Sequence, residues 1–193
     1  GIEVVLYEFD ALNIETHYNF VTNLGTLPDV AVCSIGYLGE QVESQKNITE
    51  ALKVIRSNYE GPASILSRLA DKFEKRKSGT IIGISSVAGV RGRASNYVYG
   101  SAKAGFTNFL SGLRNRLAKS DVNVITVLPG YVDTKMTKAL KLPAFLTMSA
   151  DDLAKSIFVG SIKKQEIIMA KRWLIICIML RLVPERIFKK LSL

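Results

Sequence analysis

The sequence predicts a doubly wound α/β fold, in which helices cover both faces of a parallel sheet. Short apolar runs rich in Val and Ile alternate along the chain with longer segments of helical period. The short runs are almost continuously apolar, which is typical of strands buried on both faces. The helical segments between them can form the crossovers of parallel βαβ units. Together these observations favour a mostly parallel sheet.

Five runs carry the strand pattern, and they span residues 2–9, 29–35, 80–85, 122–128 and 167–170. Helical period covers residues 14–24, 48–75, 97–119 and 150–163, with weaker patterns over residues 173–183 and 185–191. A dinucleotide-binding unit normally opens with a strand, a glycine-rich turn and a helix. Nothing before residue 2 supplies that turn, and the sequence GYLG at residues 36–39 has the wrong spacing and follows a later strand. We therefore expect a Rossmann-like sheet that lacks its first βαβ unit in this chain.

The composition indicates one globular domain. The chain has 193 residues, of which 48% are hydrophobic and 22% charged, which suits a single buried core and excludes a disordered or collagen-like chain. The two cysteines, Cys33 and Cys177, stand far apart with no CxxC or Cys/His spacing. Neither a disulfide framework nor a metal site is therefore expected. This cysteine usage fits a reducing compartment, and we expect the protein in the cytoplasm.

The formal charge of +9 lies mostly at the C-terminal end. We expect residues 1–170 to form the Rossmann-like domain and residues 171–193 to form an amphipathic basic tail. The apolar run at residues 173–180 is much shorter than the roughly 20 residues of a membrane-spanning helix. Apolar side chains flanked by cations predict instead that residues 173–193 contact the inner face of a membrane peripherally. The alternative is that they cover the sheet or a neighbouring subunit.

Nucleic acid is not an expected partner. The basic residues are not interleaved with aromatic ones, and no nucleic-acid-binding motif is present in the sequence.

The strongest chemical signal is the pair Tyr99 and Lys103. Their spacing places a phenol and an ammonium on one face of a helix, where the cation is expected to lower the pKa of the phenol toward neutrality. Such a pair alone is weak evidence. Ser86 strengthens it, because it lies upstream at the end of a predicted strand, and ligands bind at the carboxyl edge of open α/β sheets. A serine there can polarise a carbonyl oxygen while the tyrosine exchanges its proton.

The stretch IIGISSVAG followed by YGSAKAG resembles the short-chain dehydrogenase/reductase family. The resemblance implies an oxidoreductase that transfers hydride between the nicotinamide of NAD or NADP and a carbonyl or secondary alcohol carbon. It implies four catalytic side chains, namely Asn58, Ser86, Tyr99 and Lys103. It also implies contacts to the cofactor from Asp10, Gly36, Tyr99, Lys103, Pro129, Gly130, Val132 and Thr134.

Three of these residues have simpler alternative roles. Asp10 suits a turn or cap, Asn58 suits a helix kink or a solvated position, and Thr134 suits a helix N-cap. The sequence also departs from the family's pattern, because CSIG stands at residues 33–36 where the family usually carries NNAG. Only the glycine matches, so we expect different side chains on the floor of the cofactor site.

A narrower resemblance, within the family, concerns the substrate. The segments FDALN, DVAVCSIGYLG, NYVYGSAKAG and PERIFKKL look like those of reductases that act on polyprenyl-phosphate-linked keto-sugars. This resemblance implies a lipid-linked sugar as substrate, within the wider class of small molecules. Arg91 and Arg93 lie in the loop between Ser86 and Tyr99 and could bind a substrate phosphate through their guanidinium groups. The alternative is that both are solvated loop charges.

The family resemblance also implies a homodimer or homotetramer, paired through the helices at residues 48–75 and 97–119. The strands that would join residues 2–9 to the rest of such a sheet are absent here, so we expect this segment to lie apart from the main sheet. A non-catalytic binding or scaffold domain that has lost its nucleotide loop is the alternative function.

Overall fold

The computed structural model describes residues 1–138, 140 and 142–191. Six strands are present in this part of the chain: β1 (Val30–Cys33), β2 (Gly79–Ile84), β3 (Val122–Val127), β4 (Tyr131–Asp133), β5 (Thr147–Ser149) and β6 (Ile167–Ile168). The main sheet has the order β1-β2-β3-β6, and every pair in it is parallel. The short strands β4 and β5 form a separate parallel pair beyond the carboxyl end of β3. The doubly wound parallel fold is thus confirmed.

Eight α-helices surround the sheet in the described residues: α1 (His17–Thr22), α2 (Gln41–Lys46), α3 (Ile48–Ile55), α4 (Gly61–Arg76), α5 (Tyr97–Leu117), α6 (Ala150–Ile162), α7 (Lys171–Leu182) and α8 (Glu185–Phe188). A π-helical turn, Arg56–Glu60, joins α3 directly to α4. The helical segment predicted at residues 48–75 is therefore continuous, with one wide turn inside it. Such turns are frequent at functional sites.

The core consists of two apolar layers, one on each face of the sheet. On one face, α4 and α5 place Phe73, Phe106 and Leu110 against the strands, and all three are fully buried. On the other face, α6 packs Leu153 and Ile157 against the second layer of buried strand residues. The nearly continuous apolar strands follow from this arrangement, because both faces of β2 and β3 are covered.

The segment at residues 2–9 is not a strand, so that prediction is wrong. It makes no strand pairing in the described part of the chain and lies apart from the main sheet, as expected above. A strand needs a partner for its main-chain groups, and β1 pairs with β2 only. The segment is held instead by its aromatic end, where Phe9 stacks on His17 at 4.8 Å between ring centroids.

The C-terminal tail folds back onto the domain as α7 and α8. Trp173 and Cys177 are buried on the side of α7 that faces the domain, and Phe188 of α8 is buried as well. The opposite side of α7 exposes large apolar side chains, among them Leu174, Ile175, Ile178, Met179 and Leu182. Among the described residues, no helix combines the length and the hydropathy needed to cross a membrane.

Candidate active site

Ser86 stands at the carboxyl end of β2, where the sequence placed it. It precedes the 3₁₀ turn Val87–Val90, and its Oγ accepts a hydrogen bond from the main-chain N–H of Ala88 at 3.1 Å. The turn is held against the neighbouring strand, because the N–H of Val87 donates to the carbonyl oxygen of Pro129 at 3.1 Å. A rigid turn therefore fixes the hydroxyl at the edge of the sheet where ligands bind in this fold.

Tyr99 and Lys103 lie one helical turn apart near the start of α5, and both face this edge. The Lys103 side chain is 3% exposed, and its Nζ donates to the carbonyl oxygen of Ile84 at 3.1 Å. The same Nζ lies 5.8 Å from the centroid of the Tyr99 ring. The structure thus brings three of the four predicted catalytic side chains together around the end of β2.

The pKa values differ from what the sequence suggested. Burial raises the pKa of Tyr99 to about 12, and a hydrogen bond to Ser86 lowers it only in part. Burial also lowers the pKa of Lys103 to about 8. The expectation that Lys103 brings the phenol toward neutrality is wrong for this structure, because Nζ is directed at the carbonyl of Ile84 and the desolvation of the phenol dominates.

Asn58 lies in the π-helical turn and is fully buried. Its Nδ2 donates to the carbonyl oxygens of Val54 at 2.8 Å and Tyr37 at 2.5 Å, while its Oδ1 accepts from the N–H of Tyr37 at 3.3 Å. The side chain therefore ties the loop after β1 to the α3–α4 helix.

Gly36 lies between Asn58 and Lys103. A Cβ placed on Gly36 would come within 2.9 Å of Asn58 Oδ1 and 3.4 Å of Lys103 Nζ. A larger residue would push these two side chains away, which explains why the glycine is kept where the rest of the expected NNAG motif is replaced. Gly36 thus lies between Asn58 and the group formed by Ser86, Tyr99 and Lys103.

The Pro129–Gly130 segment follows β3 and lies beside the Ser86 turn. Gly130 is covered by the indole of Trp173, since a Cβ there would fall 1.9 Å from the ring. Val132 is buried in β4, and its carbonyl oxygen accepts from Thr137 Oγ1 at 2.6 Å. Thr134 is exposed just after β4, and its N–H donates to Thr137 Oγ1 at 3.2 Å. Thr134 is not a helix N-cap, because the four residues after it form only a turn.

Asp10 lies in a turn near the N-terminal segment. Its Oδ1 accepts from the N–H of Leu12 at 2.9 Å, and its carbonyl oxygen lies 3.1 Å from His17 Nε2. This is the local arrangement of an Asx turn, which the sequence left open as the simpler role. Contact between Asp10 and a cofactor stays a prediction.

Arg91 is not placed to bind a substrate phosphate. Its guanidinium donates to the carbonyl oxygens of Leu180 and Val183, and it pairs with Glu185 Oε2 at 2.7 Å. The tail thus engages both of its terminal nitrogens, and contact between Arg91 and a substrate phosphate stays a prediction without support from this geometry. Burial raises the pKa of the Cys177 thiol in α7, and the positive charge of the nearby Arg93 partly offsets this rise.

Two positioning residues escaped the sequence analysis. The buried Ser85 bonds through Oγ to the carbonyl oxygen of Lys103 at 2.9 Å and to Thr107 Oγ1 at 2.7 Å, which fixes α5 against β2. Gln41 Oε1 accepts from the N–H of Val98 at 3.1 Å, so α2 caps the helix that carries Tyr99. The pair of serines at the strand end is a local sequence pattern that could have indicated Ser85. No such pattern indicates Gln41, because the residue that it contacts is far away in the sequence.

A cavity of about 740 Å³ opens beside Tyr99. Its lining includes polar residues of the loop after β1, of α2 and of the approach to α5, namely Glu40, Gln41, Ser44, Ser95 and Asn96. It also includes Tyr131, Met136, Leu140 and Leu142. A shallower depression of about 720 Å³ over α6 and β6 contains none of the predicted site residues. The cavity at Tyr99 is therefore the candidate substrate site.

Comparison with known proteins agrees with this geometry. The sequence profile described as short chain dehydrogenase matches residues 10–143. An uncharacterized oxidoreductase of Mycobacterium tuberculosis strain H37Rv is 31% identical over 197 residues, covering 99% of this chain and 78% of the relative. The 3-oxoacyl-[acyl-carrier-protein] reductase MabA of Mycobacterium avium is 38% identical over 149 residues, covering 72% of this chain and 54% of the relative.

Solved structures show the same fold. A short chain dehydrogenase from Burkholderia cenocepacia J2315, in complex with NADP, superposes with a TM-score of 0.81 at 19% identity and covers 96% of this chain and 77% of its own. A short-chain dehydrogenase from Sphingobium yanoikuyae, in complex with NADPH, gives a TM-score of 0.74 at 18% identity, with 91% and 74% covered. The profile match and the relative that aligns with 99% of the chain together establish that this chain is an oxidoreductase that belongs to the short-chain dehydrogenase/reductase family.

Proposed function

We propose that the protein reduces a ketone at the Tyr99 cavity, with NADH or NADPH as the hydride donor. The observation that carries this proposal is the meeting of Ser86, Tyr99 and the buried Lys103 at the carboxyl end of β2, where Tyr99 lines the cavity. The family resemblance points to the same chemistry. The non-catalytic alternative gains no support from the comparisons.

At neutral pH Tyr99 carries the proton that a reduction uses. With a pKa of about 12, Tyr99 is protonated at neutral pH and can donate its proton to the oxygen that develops negative charge. Ser86 orients that oxygen through its hydroxyl. Lys103, with a pKa of about 8, is mostly charged at neutral pH, and its Nζ lies 5.8 Å from the centroid of the Tyr99 ring. Asn58 holds the loop that carries Gly36 against this group.

The residues present fit a nicotinamide cofactor. The Lys103 ammonium has three N–H donors. Within the described part of the chain it donates one hydrogen bond, to the carbonyl oxygen of Ile84. Gly36 keeps the space beside Nζ free of a side chain. When bound, the nicotinamide supplies the hydride, and Lys103, Gly36 and the Pro129–Thr134 segment would hold it. The NADP and NADPH in the two structural neighbours support this assignment.

The test is a comparison of two tyrosines on one helix. Tyr99→Phe removes the proposed acid, and we expect turnover to fall about 10²-fold or more while cofactor affinity stays within about twofold. Tyr97→Phe is the matched control, because Tyr97 is exposed and two residues away. Near-normal turnover of the Tyr99 variant would remove this residue from the reaction.

We propose further that the tail rests on an anionic membrane surface and that the substrate is a polyprenyl-phosphate-linked keto-sugar. The exposed side of α7 is apolar, and cations surround it, namely Lys171, Arg172, Arg181, Arg186, Lys189 and Lys190. This combination matches the boundary between lipid headgroups and acyl chains. Such contact would keep the cavity near a sugar held at the bilayer by its lipid. The last two residues of the predicted tail, 192 and 193, lie outside the described residues.

Co-sedimentation with vesicles of phosphatidylserine and phosphatidylcholine tests the membrane contact. We expect binding at low salt, weakening as salt rises, and a loss of at least about tenfold in Ile178→Ser/Met179→Ser. Phe158→Ser is the control, because Phe158 is an exposed apolar residue on α6 instead. Absence of vesicle binding, with a homodimer or homotetramer that dissociates when the tail is changed, would show that α7 packs on another subunit.

A further inference from the structure

The indole of Trp173 in the tail contacts two segments that border the site. Its ring covers Gly130 and meets the ring of Tyr131 edge-on, at 5.2 Å between centroids. Its Nε1 donates to the carbonyl oxygen of Leu146 at 3.1 Å. We propose that Trp173 is a positioning residue through which docking of the tail and binding of NADH or NADPH stabilise each other. This inference rests on the proposed contact between the Pro129–Thr134 segment and the nicotinamide.

The inner side of α7 completes an apolar cluster that joins two loops of the site. Trp173 and Cys177 are buried there together with Val87, which belongs to the turn after Ser86, and with Leu128, which directly follows β3. Side chains that are buried only by a common neighbour lose that burial when the neighbour leaves, which is unfavourable. The docked tail therefore helps to hold the Ser86 turn and the segment after β3 in one fixed relation.

Gly130 allows the indole to lie directly on the main chain. A Cβ at this position would fall 1.9 Å from the ring, so only a glycine leaves the space that the ring occupies. A glycine also has more main-chain freedom than any other residue. Trp173 is 4% exposed, and its ring blocks movement of Gly130 toward the tail. The indole therefore restricts the chain between Pro129 and Tyr131, where the nicotinamide is expected to bind.

This restriction has consequences in both directions. When the tail is docked, the segment is already ordered, and a cofactor that needs this order binds with higher affinity. By linkage, a bound cofactor must favour the docked tail by the same factor. A residue that only stabilised the fold would not make the tail respond to the cofactor in this way. The response of the tail is therefore the decisive measurement.

The first experiment measures the affinity for the cofactor without turnover, with the intact protein. NADPH and NADH are each titrated, and the fluorescence of the reduced nicotinamide reports binding. Trp173→Leu removes the flat ring and the donor to Leu146, and we expect Kd to rise about tenfold or more. Trp173→Phe keeps a ring over Gly130 and should stay within about threefold of the wild type. Leu174→Ala is the matched control, because the next side chain on α7 is half exposed, and its Kd should not change.

Hydrogen exchange of the α7 amides provides the reciprocal measurement. Saturating NADPH should slow their exchange about tenfold in the wild type. In Trp173→Leu this slowing should disappear. Lower stability alone would speed exchange both with and without NADPH and would leave the difference between the two conditions in place. The difference therefore separates coupling from a merely structural role of the indole.

Two results would overturn the coupling while the reductase function stands. One is a Trp173→Leu variant that binds NADPH as tightly as the wild type does. The other is a wild type that binds NADPH with no change in the exchange of α7. If the wild type binds neither NADH nor NADPH, the proposed function fails and the coupling fails with it. Should Trp173→Leu not fold, the exchange of the wild type with and without NADPH decides.

Discussion

The guanidinium carbon of Arg91 lies 3.7 Å from the centroid of the Phe188 ring, and this contact joins the loop after Ser86 to the C-terminal tail. Arg91 directly follows the 3₁₀ turn that begins after Ser86, and its hydrogen bonds end on the main-chain carbonyls of Leu180 and Val183. The tail is thus attached where the proposed reaction occurs. Arg91, which the sequence suggested as a substrate ligand, instead holds the tail against the loop after Ser86.

We expect Arg91→Ala to lower the free energy of unfolding by about 2–3 kcal/mol, since it leaves two carbonyl oxygens without a charged donor and removes packing on Phe188. The ion pair with Glu185 adds little, because that carboxylate is largely exposed. Urea denaturation provides the measurement. Arg93→Ala serves as the control, and equal stability of the two variants would contradict the clamp.

Two glycine substitutions should have opposite effects on stability. Gly130→Ala places a methyl group 1.9 Å from the Trp173 indole, so the ring must leave its site and the variant should lose about 2–4 kcal/mol. Gly112 lies in α5 with open space around it, and Gly112→Ala should gain about 0.5–1 kcal/mol from lower backbone entropy in the unfolded chain. Thermal unfolding of both variants checks the pair. A neutral Gly130→Ala would mean that Trp173 is not seated there.

The third prediction concerns pH. Burial lowers the pKa of Lys103 to about 8, below the value near 10.4 of an unfolded chain. Between these values the unfolded state binds more protons than the folded state, so the free energy of unfolding contributed by Lys103 rises with pH across this window. Between a pH below 8 and a pH above 10.5, the contribution of Lys103 to the free energy of unfolding rises by about 3 kcal/mol.

Lys103→Met should abolish that rise. The measurement is the difference in unfolding free energy between the variant and the wild type at each pH, because Cys33 and Tyr99 titrate in both proteins and their contributions largely cancel. Burial raises the pKa of both groups, which lowers stability above pH 9 to 10 in either protein. A pH-independent difference would contradict the buried, charged state of Lys103.

The sequence alone determined the parallel sheet and the proposed catalytic side chains. The strands at residues 80–85 and 122–128 could be predicted because burial on both faces leaves a continuous apolar run. The helix with Tyr99 and Lys103 could be predicted because its apolar period and the spacing of the pair are local properties. Ser86 followed from its place at a strand end. Each of these features depends on residues that are close together in the sequence.

Only the tertiary structure decided which residues are engaged elsewhere and which are free. The same apolar pattern at residues 2–9 made no strand, because pairing depends on a neighbour that is distant in sequence. Arg91 binds the tail across 89 to 94 residues, and Gln41 caps α5 across 57. No local pattern encodes such contacts. The sequence shows which chemical groups are present. Packing between residues that are far apart in the sequence decides whether each group contacts protein or faces the cavity.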